Sequence, residues 1–356
     1  MVKPVTIKDI AREAGVSTAL VSFVMTNYLG GKMVYKVNDE TSRRVLEVAD
    51  RLNYKPNTSA RALRSGRTNT IGVVVSDIAN PFFAEIARYL EDQAYQYNYN
   101  VIFGSSDENP DKLRRVAQVL LDKGVDGLII VPCAGSEDTI REIADAGVNV
   151  VLLDRQVQGL DVSSVVLDNR EAARKITSML IDKGARRIDM VSYSMSISNT
   201  RDREQGYMDA MEAAGLSGNI HIERFAHNEY DNVAGYLSSA RERGVDAFMM
   251  ATNTLAALVI SEIYKCGLSI PKDFKAACFD RNPLYDIYGS GIIYVSQPVD
   301  VFACKAMETV MAHINSGSSG KPLQEQIVLS PEIIESATKT KPQTITLYIN
   351  YNDLIN

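Results

Sequence analysis

The sequence predicts an all-α helix-turn-helix headpiece with a hinge helix, joined to a two-lobed α/β body built on two doubly wound parallel sheets. Three observations carry this. Up to about residue 56 the apolar residues recur at helical spacing with no strand signal. From Ile71 onward short β-branched runs alternate with amphipathic helices. The charge also changes sign between the two regions: residues 1–68 hold twelve Lys/Arg and six Asp/Glu, and the remainder holds 26 basic and 38 acidic residues.

In the headpiece, Ile7, Ile10, Ala11 and Ala14 lie on one helix face, and Gly15 breaks the run. Ser17 is placed to cap a second helix with Val21 and Val24 inward. A polar loop from Tyr28 to Val37 follows. Asn38 is placed to cap a third helix with an inward stripe of Val45, Val48, Ala49 and Leu52. The apolar runs of the body are IGVVVS (71–76), VIFGSS (101–106), GLIIVP (127–132), VVLLD (150–154), IDMVSYS (188–194), FMMAT (248–252), AACFD (276–280) and IIYVS (292–296). Two groups of four strands predict two similar lobes. The expected boundaries are a headpiece at 1–56, a hinge helix and linker at 57–69, a body at 70–340 and a polar tail at 341–356. Within the body, the N-lobe takes about 70–166 and 298–325, and the C-lobe about 167–297 and 326–340.

Composition narrows the function. A hydrophobic content of 46% and a charged content of 23% are ordinary for a globular chain. No window approaches a membrane span, and no basic-then-apolar leader is visible, so a cytoplasmic protein with no membrane partner is expected. Cys133, Cys266, Cys278 and Cys304 are scattered without a C-x-x-C pair and read as buried thiols. His221, His227 and His313 lack metal-ligand spacing, and no phosphate-binding, nucleophile-elbow or zinc-protease motif is present. Binding rather than catalysis is expected, with no cofactor and no metal. A basic head on an acidic body points to a polyanion partner at the head, although a solvated basic face fits the charge alone.

The stretch TIKDIAREAGVSTALVSFVMTN (6–27) has helix-turn-helix grammar: a tight turn at Gly15, Val16 plugging the interhelical angle, and a second helix from Ser17. Such proteins lay the start of the second helix in the major groove; a structural three-helix bundle fits the same spacing. Three segments in order, TIKDIAREAGVSTALVS, VNDETSRRVLEVADRLNYKPN and SARALRSGRTNTIGVVVSDIANPFFAEI, resemble the LacI/GalR (lactose-repressor-like) family. The likeness runs from Thr6 to about Ile334. It implies a homodimeric repressor on a pseudo-palindromic double-stranded DNA operator.

On that resemblance Thr18, Ala19 and Phe23 read bases, with Ser22 beside them, and Thr6 and Ser17 bond phosphates. Phe23 stands where many members carry a polar or basic residue; it cannot donate a hydrogen bond but can pack on a thymine methyl. The 28–37 loop is longer than usual. Lys32, Tyr35 and Lys36 there either add backbone contacts or belong to a solvated insertion. Asn57 can cap a short helix that Gly66 ends. So short a helix needs a partner copy and DNA to form. The resemblance places Leu63, helped by Ala60, as a wedge in the central minor groove; a plain linker is the alternative.

The body resembles periplasmic sugar-binding proteins, which implies an effector cleft between the lobes. Asn80 would bond a hydroxyl, and Phe82 and Phe83 would stack on a sugar face or simply pack in the core. Asp154 and Arg155 would grip hydroxyls from one side. Arg203 offers a planar fork, and Tyr230 would cover the opposite face. Thr252 and Asn253 stand where members often have Asn-Asp. Asp280 would accept two hydroxyl bonds, and Gln297 lies at a crossing between lobes. Asp154–Arg155 and Asp280–Arg281 also fit structural ion pairs. A small sugar is the expected effector; a nucleobase-like heterocycle, or a solute-binding protein with no DNA role, are the alternatives.

Overall fold

The computed structural model describes residues 5–28, 37–55, 66–227, 232–282, 285, 291–316 and 324–336. The chain divides into two compact units, Met1–Thr68 and Asn69–Asn356.

The first unit holds helices α1 (Ile7–Ala14), α2 (Thr18–Tyr28) and α3 (Asp39–Arg51). Each terminus has a local cause. The Asp9 carboxylate accepts from the Thr6 backbone N–H at 3.0 Å and from its hydroxyl at 2.7 Å, tying down the first turn of α1. Gly15 ends α1 at φ +65°, a left-handed conformation that glycine adopts without a Cβ penalty. Ser17 Oγ accepts from Leu20 N at 3.2 Å to start α2, and Asn38 Oδ1 accepts from Glu40 N at 2.9 Å to start α3. Ile10, Ala11, Ala14, Val21, Val24, Met25, Val45, Val48 and Ala49 form one apolar cluster, with Ile7, Val16 and Leu52 packed against it.

The second unit carries twelve strands among its described residues, where the apolar runs predict eight. Its N-terminal sheet holds β1 (Thr70–Val75), β2 (Asn100–Ser105), β3 (Gly127–Ile130), β4 (Val150–Leu153) and β5 (Ser163–Leu167). The C-terminal sheet holds β6 (Ile188–Tyr193), β7 (His221–Phe225), β8 (Ala247–Met250), β9 (Lys275–Phe279) and β10 (Ile293–Ser296). Two late strands, β11 (Gln326–Leu329) and β12 (Glu332–Glu335), each complete one sheet. The orders are β11-β5-β4-β3-β1-β2 and β12-β10-β9-β8-β6-β7, so the two lobes share one topology. All pairings are parallel except β10 with β12. The four unpredicted strands are β5, β7, β11 and β12.

One boundary needs correction. Residues 326–329 pair with β5 in register Gln326 to Ser164 through Leu329 to Leu167, so they belong to the N-lobe rather than the C-lobe. The last crossing therefore lies at Ser330–Pro331. The other two crossings lie at Asp168, between β5 and helix α7 (Asn169–Asp182), and at Gln297–Pro298, before helix α11 (Val299–Ser316). Helix α11 packs on helix α4 (Pro81–Gln96) and on the N-lobe strands.

In the C-lobe, α7 lies against helix α8 (Ser198–Ala213). A Cβ on Gly206 would stand 2.1 Å from the Arg170 carbonyl oxygen, so this close approach admits only glycine. The cysteine expectation is also corrected. Cys133 and Cys278 are buried, with burial pushing their thiols up to about 11 and about 12, but Cys266 is exposed at the end of helix α10 (Asn253–Lys265), and Cys304 is half-buried. No described helix is long and apolar enough to cross a membrane.

Candidate functional site

On the headpiece, Thr18 and Ala19 are exposed at the start of α2, while Ser22 and Phe23 are half-buried one turn further along. Val21, Val24 and Met25 anchor the opposite face of α2 in the core. The exposed start of α2 is thus held by a rigid base and by the Ser17 cap. Thr6 and Ser17 spend their side chains on helix-capping bonds. Asn57, Ala60 and Leu63 lie outside the described residues.

In the body, chain topology dictates where polar groups converge. Each sheet reverses its winding beside its first strand, between β1 and β3 and between β6 and β8. Open α/β sheets bind ligands at such switch points, beyond the C-terminal strand ends. The ends of both sheets open onto one cleft. Of the predicted residues, Asn80, Phe82, Phe83, Asp154, Arg155, Arg203, Thr252, Asn253, Asp280 and Gln297 all line it. Tyr230 lies outside the described residues.

Asp154 and Asp280 occupy equivalent places in the two lobes, immediately after β4 and β9. Both adopt left-handed backbone, with φ of +65° and +69°. Aspartate tolerates this region better than most residues, and such strain concentrates at functional positions. Burial pushes the Asp154 carboxyl above the usual carboxylate range; Arg155 and Arg203 only partly offset it. Asn199 donates to Asp154 Oδ2 at 3.0 Å, and Gln297 donates to Asp280 Oδ1 at 2.6 Å.

Arg203 is fully engaged at its base. Its Nε donates to Asn169 Oδ1 at 2.8 Å, one terminal nitrogen donates to the Ala251 carbonyl at 2.6 Å, and the guanidinium lies 3.8 Å above the Phe279 ring. Burial lowers its pKa, with Asp280 and Asp154 working against that fall. Arg155 is placed differently from the expectation that it would grip hydroxyls. Its two terminal nitrogens donate to Glu108 at 2.8 and 2.6 Å, and one also donates to the Pro132 carbonyl at 2.8 Å. Burial disfavours its charge, but Glu108 and Asp154, with a smaller part from Cys133, together outweigh it and raise the Arg155 pKa. It braces the wall of the cleft. Asp280 is likewise held by Gln297 and by Asn253 N at 3.4 Å rather than by Arg281.

Phe82 and Phe83 both line the cleft and pack in the core; Phe82 meets Phe83 and Phe302 edge-on at 5.0 and 6.3 Å. Asn80 caps α4 by accepting from Phe82 N at 3.0 Å. Its side chain also pairs across the cleft with Asn253, at 3.0 and 3.4 Å. With Asn199 on Asp154 and Gln156 N donating to Ser198 Oγ at 3.0 Å, these bonds draw the lobes together. Sequence reasoning missed Ser76, Glu108, Tyr193, Met195, Ile197, Asn199, Thr200 and His227 on the lining. Ser76, Tyr193 and Met195 stand at or just beyond the ends of β1 and β6, the same kind of position that Asp154 and Asp280 hold after β4 and β9.

Comparison with known proteins agrees with this layout. Residues 6–57 match the model for bacterial regulatory proteins of the lacI family. Residues 68–227 match that for periplasmic binding proteins and the sugar binding domain of the LacI family, and residues 161–338 match a periplasmic binding protein-like domain. Catabolite control protein A of Priestia megaterium is 32% identical over 342 residues, covering 95% of this chain and 99% of that one. The lac repressor dimer bound to operator shares the fold at a TM-score of 0.80 and 20% identity, over 94% of this chain and 99% of that one. The transcriptional regulator CelR in complex with cellobiose shares it at a TM-score of 0.66 and 22% identity, over 94% and 99%. The chain belongs to the LacI family of bacterial DNA-binding transcriptional regulators. It is a regulator, not an enzyme.

Proposed function

We propose that the chain is a cytoplasmic, homodimeric repressor whose affinity for a two-fold-symmetric operator is set by a small sugar in the interlobe cleft. The observation that carries the sugar assignment is the pairing of two equivalent buried carboxylates, Asp154 and Asp280, with Arg203 and the Phe82–Phe83 pair on one cleft. Carboxylates and a guanidinium hold hydroxyls by charge-assisted bonds, while aromatic rings cover C–H faces. A nucleobase would stack on the same rings but offers fewer donors for the carboxylates. CelR, with the same fold, holds cellobiose.

Thr18, Ala19, Ser22 and Phe23 are the base-facing candidates, with Thr6 and Ser17 near phosphates. The minor-groove roles of Ala60 and Leu63 rest on the family resemblance, with Asn57 as the cap of their helix. A sugar that bridges the lobes shifts the population between two lobe arrangements, and a dimer passes that shift to its paired headpieces.

The test is to compare the full chain with a fragment of residues 70–340 on genomic DNA fragments. The full chain is expected to bind selectively and to lose roughly a thousandfold in affinity between 50 and 200 mM salt, as several phosphate contacts per half-site require. The fragment is expected to dimerise and bind sugar without binding DNA. Selective DNA binding by the fragment overturns the division of labour.

A further inference from the structure

We infer that the cleft takes a polyhydroxyl ligand that is uncharged or carries an ammonium group, and that it rejects phosphorylated and carboxylated sugars. The inference rests on the reading of the cleft as the effector site and names the charge class of that effector.

The first argument is the inventory of unpaired hydrogen-bonding atoms. Asp154 Oδ1, Asn199 Oδ1 and Gln297 Oε1 are all buried with no donor. Their residues are 3%, 7% and 8% exposed, and all three line the cleft. Buried polar atoms of this kind are rarely left unsatisfied in a finished structure. Each of the three is an acceptor, one of them a carboxylate oxygen. The ligand that completes them must therefore supply at least three donors. Sugar hydroxyls do so, and an ammonium group supplies three from one atom. A phosphate or carboxylate group supplies only acceptors at neutral pH.

Several side-chain donors on the lining are already committed to the wall, while Arg155 Nε and one terminal nitrogen of Arg203 carry none of these bonds. Both terminal nitrogens of Arg155 face Glu108; its Nε, 3.4 Å from Asp154 Oδ2, is buried without a hydrogen bond. Arg203 gives its Nε to Asn169 and one terminal nitrogen to Ala251. Gln297 Nε2 is spent on Asp280, and Asn199 Nδ2 on Asp154.

The second argument is charge. Four carboxylates line the cleft, those of Asp77, Glu108, Asp154 and Asp280, against the two guanidiniums of Arg155 and Arg203. Glu108 neutralises Arg155 through a bidentate pair, which leaves Arg203 facing three carboxylates. His227 and Tyr193 are the remaining titratable side chains on the wall. An anionic ligand group would enter a desolvated site of its own sign, where like charges repel strongly.

The experiment uses the full chain and matched sets of ligands: neutral pentoses, hexoses and disaccharides, their phosphate esters, the corresponding uronic acids, and 2-amino-2-deoxy sugars. Binding is read by thermal shift and then by calorimetry. At least one neutral or amino sugar is expected to bind, with its phosphate ester weaker by about 100-fold or more. Asp154→Asn is expected to weaken the neutral sugar by about tenfold or more, since a charge-assisted bond is lost, and to narrow the gap to the phosphate ester. A phosphate ester or uronic acid that binds as tightly as its neutral parent overturns the inference and leaves the sugar reading standing. If no sugar of any charge binds, the sugar reading itself falls. An Asp154→Asn chain with unchanged selectivity also overturns the inference.

Discussion

Replacing Glu108 by alanine is expected to destabilise the body by about 3–5 kcal/mol, the usual cost of breaking a buried ion pair from one side. The Arg155 and Glu108 side chains are each only 7% exposed, so solvent cannot replace the missing carboxylate. Arg155 would be left with the Pro132 carbonyl and the 3.4 Å approach to Asp154. The double variant Glu108→Ala with Arg155→Met is expected to recover much of the loss, because removing both charges removes the desolvation cost along with the attraction. Urea unfolding of the four forms measures this. If Glu108→Ala alone is neutral, Arg155 does not depend on Glu108 and the braced wall is wrong.

Arg203→Ala is expected to abolish the response to sugar while leaving sugar-free operator binding intact. The guanidinium is the counter-charge for Asp154 and Asp280, and it joins α8 to the Ala251 carbonyl beyond β8. Losing it removes bonds to the ligand and leaves two buried carboxylates facing each other. A loss of sugar affinity of about 100-fold follows from charge-assisted bonds alone. Arg203→Lys is expected to fail as well, since an ammonium cannot bond Asn169 and Ala251 while lying flat on Phe279. The readout is operator affinity with and without sugar, alongside a melting curve to show that the variant is folded. A response preserved at wild-type sugar concentrations would make Arg203 purely structural.

These two arginines also show where sequence reading reaches its limit. Asp154 and Asp280 were legible because each closes an apolar run at the end of a central strand, and Arg203 was reached through the family resemblance. The central strands were legible for the same reason, since strands buried on both faces read as unbroken apolar runs. Strand β7, His221–Phe225, has two charged residues among its five, and β11 alternates exposed and half-buried positions. Both are edge strands, which need no continuous apolar run. Strand β12, also at an edge, carries a glutamate at each end.

Strand β5 was missed for another reason: it opens on Ser163 and Ser164, buried polar residues satisfied by distant partners such as Gln324 and the Glu325 carbonyl. Glu108 was invisible because nothing in the polar turn around it signals burial. Only the arrival of Arg155, 47 residues later, gives that side chain a reason to be inside. Local pattern reveals positions on an element; it does not reveal partners that the fold brings together from distant parts of the chain.

The central claim is that the exposed start of α2 reads a symmetric DNA site under control of the cleft. The direct measurement is selection of bound sequences from a random DNA pool by the full chain, repeated with Phe23→Ala. The account predicts enrichment of a two-fold-symmetric motif, with base preference relaxed at matching positions in both halves when Phe23 is removed. Failure of the full chain to enrich any symmetric motif, or an unchanged motif after removal of Phe23 and of Thr18, would contradict it.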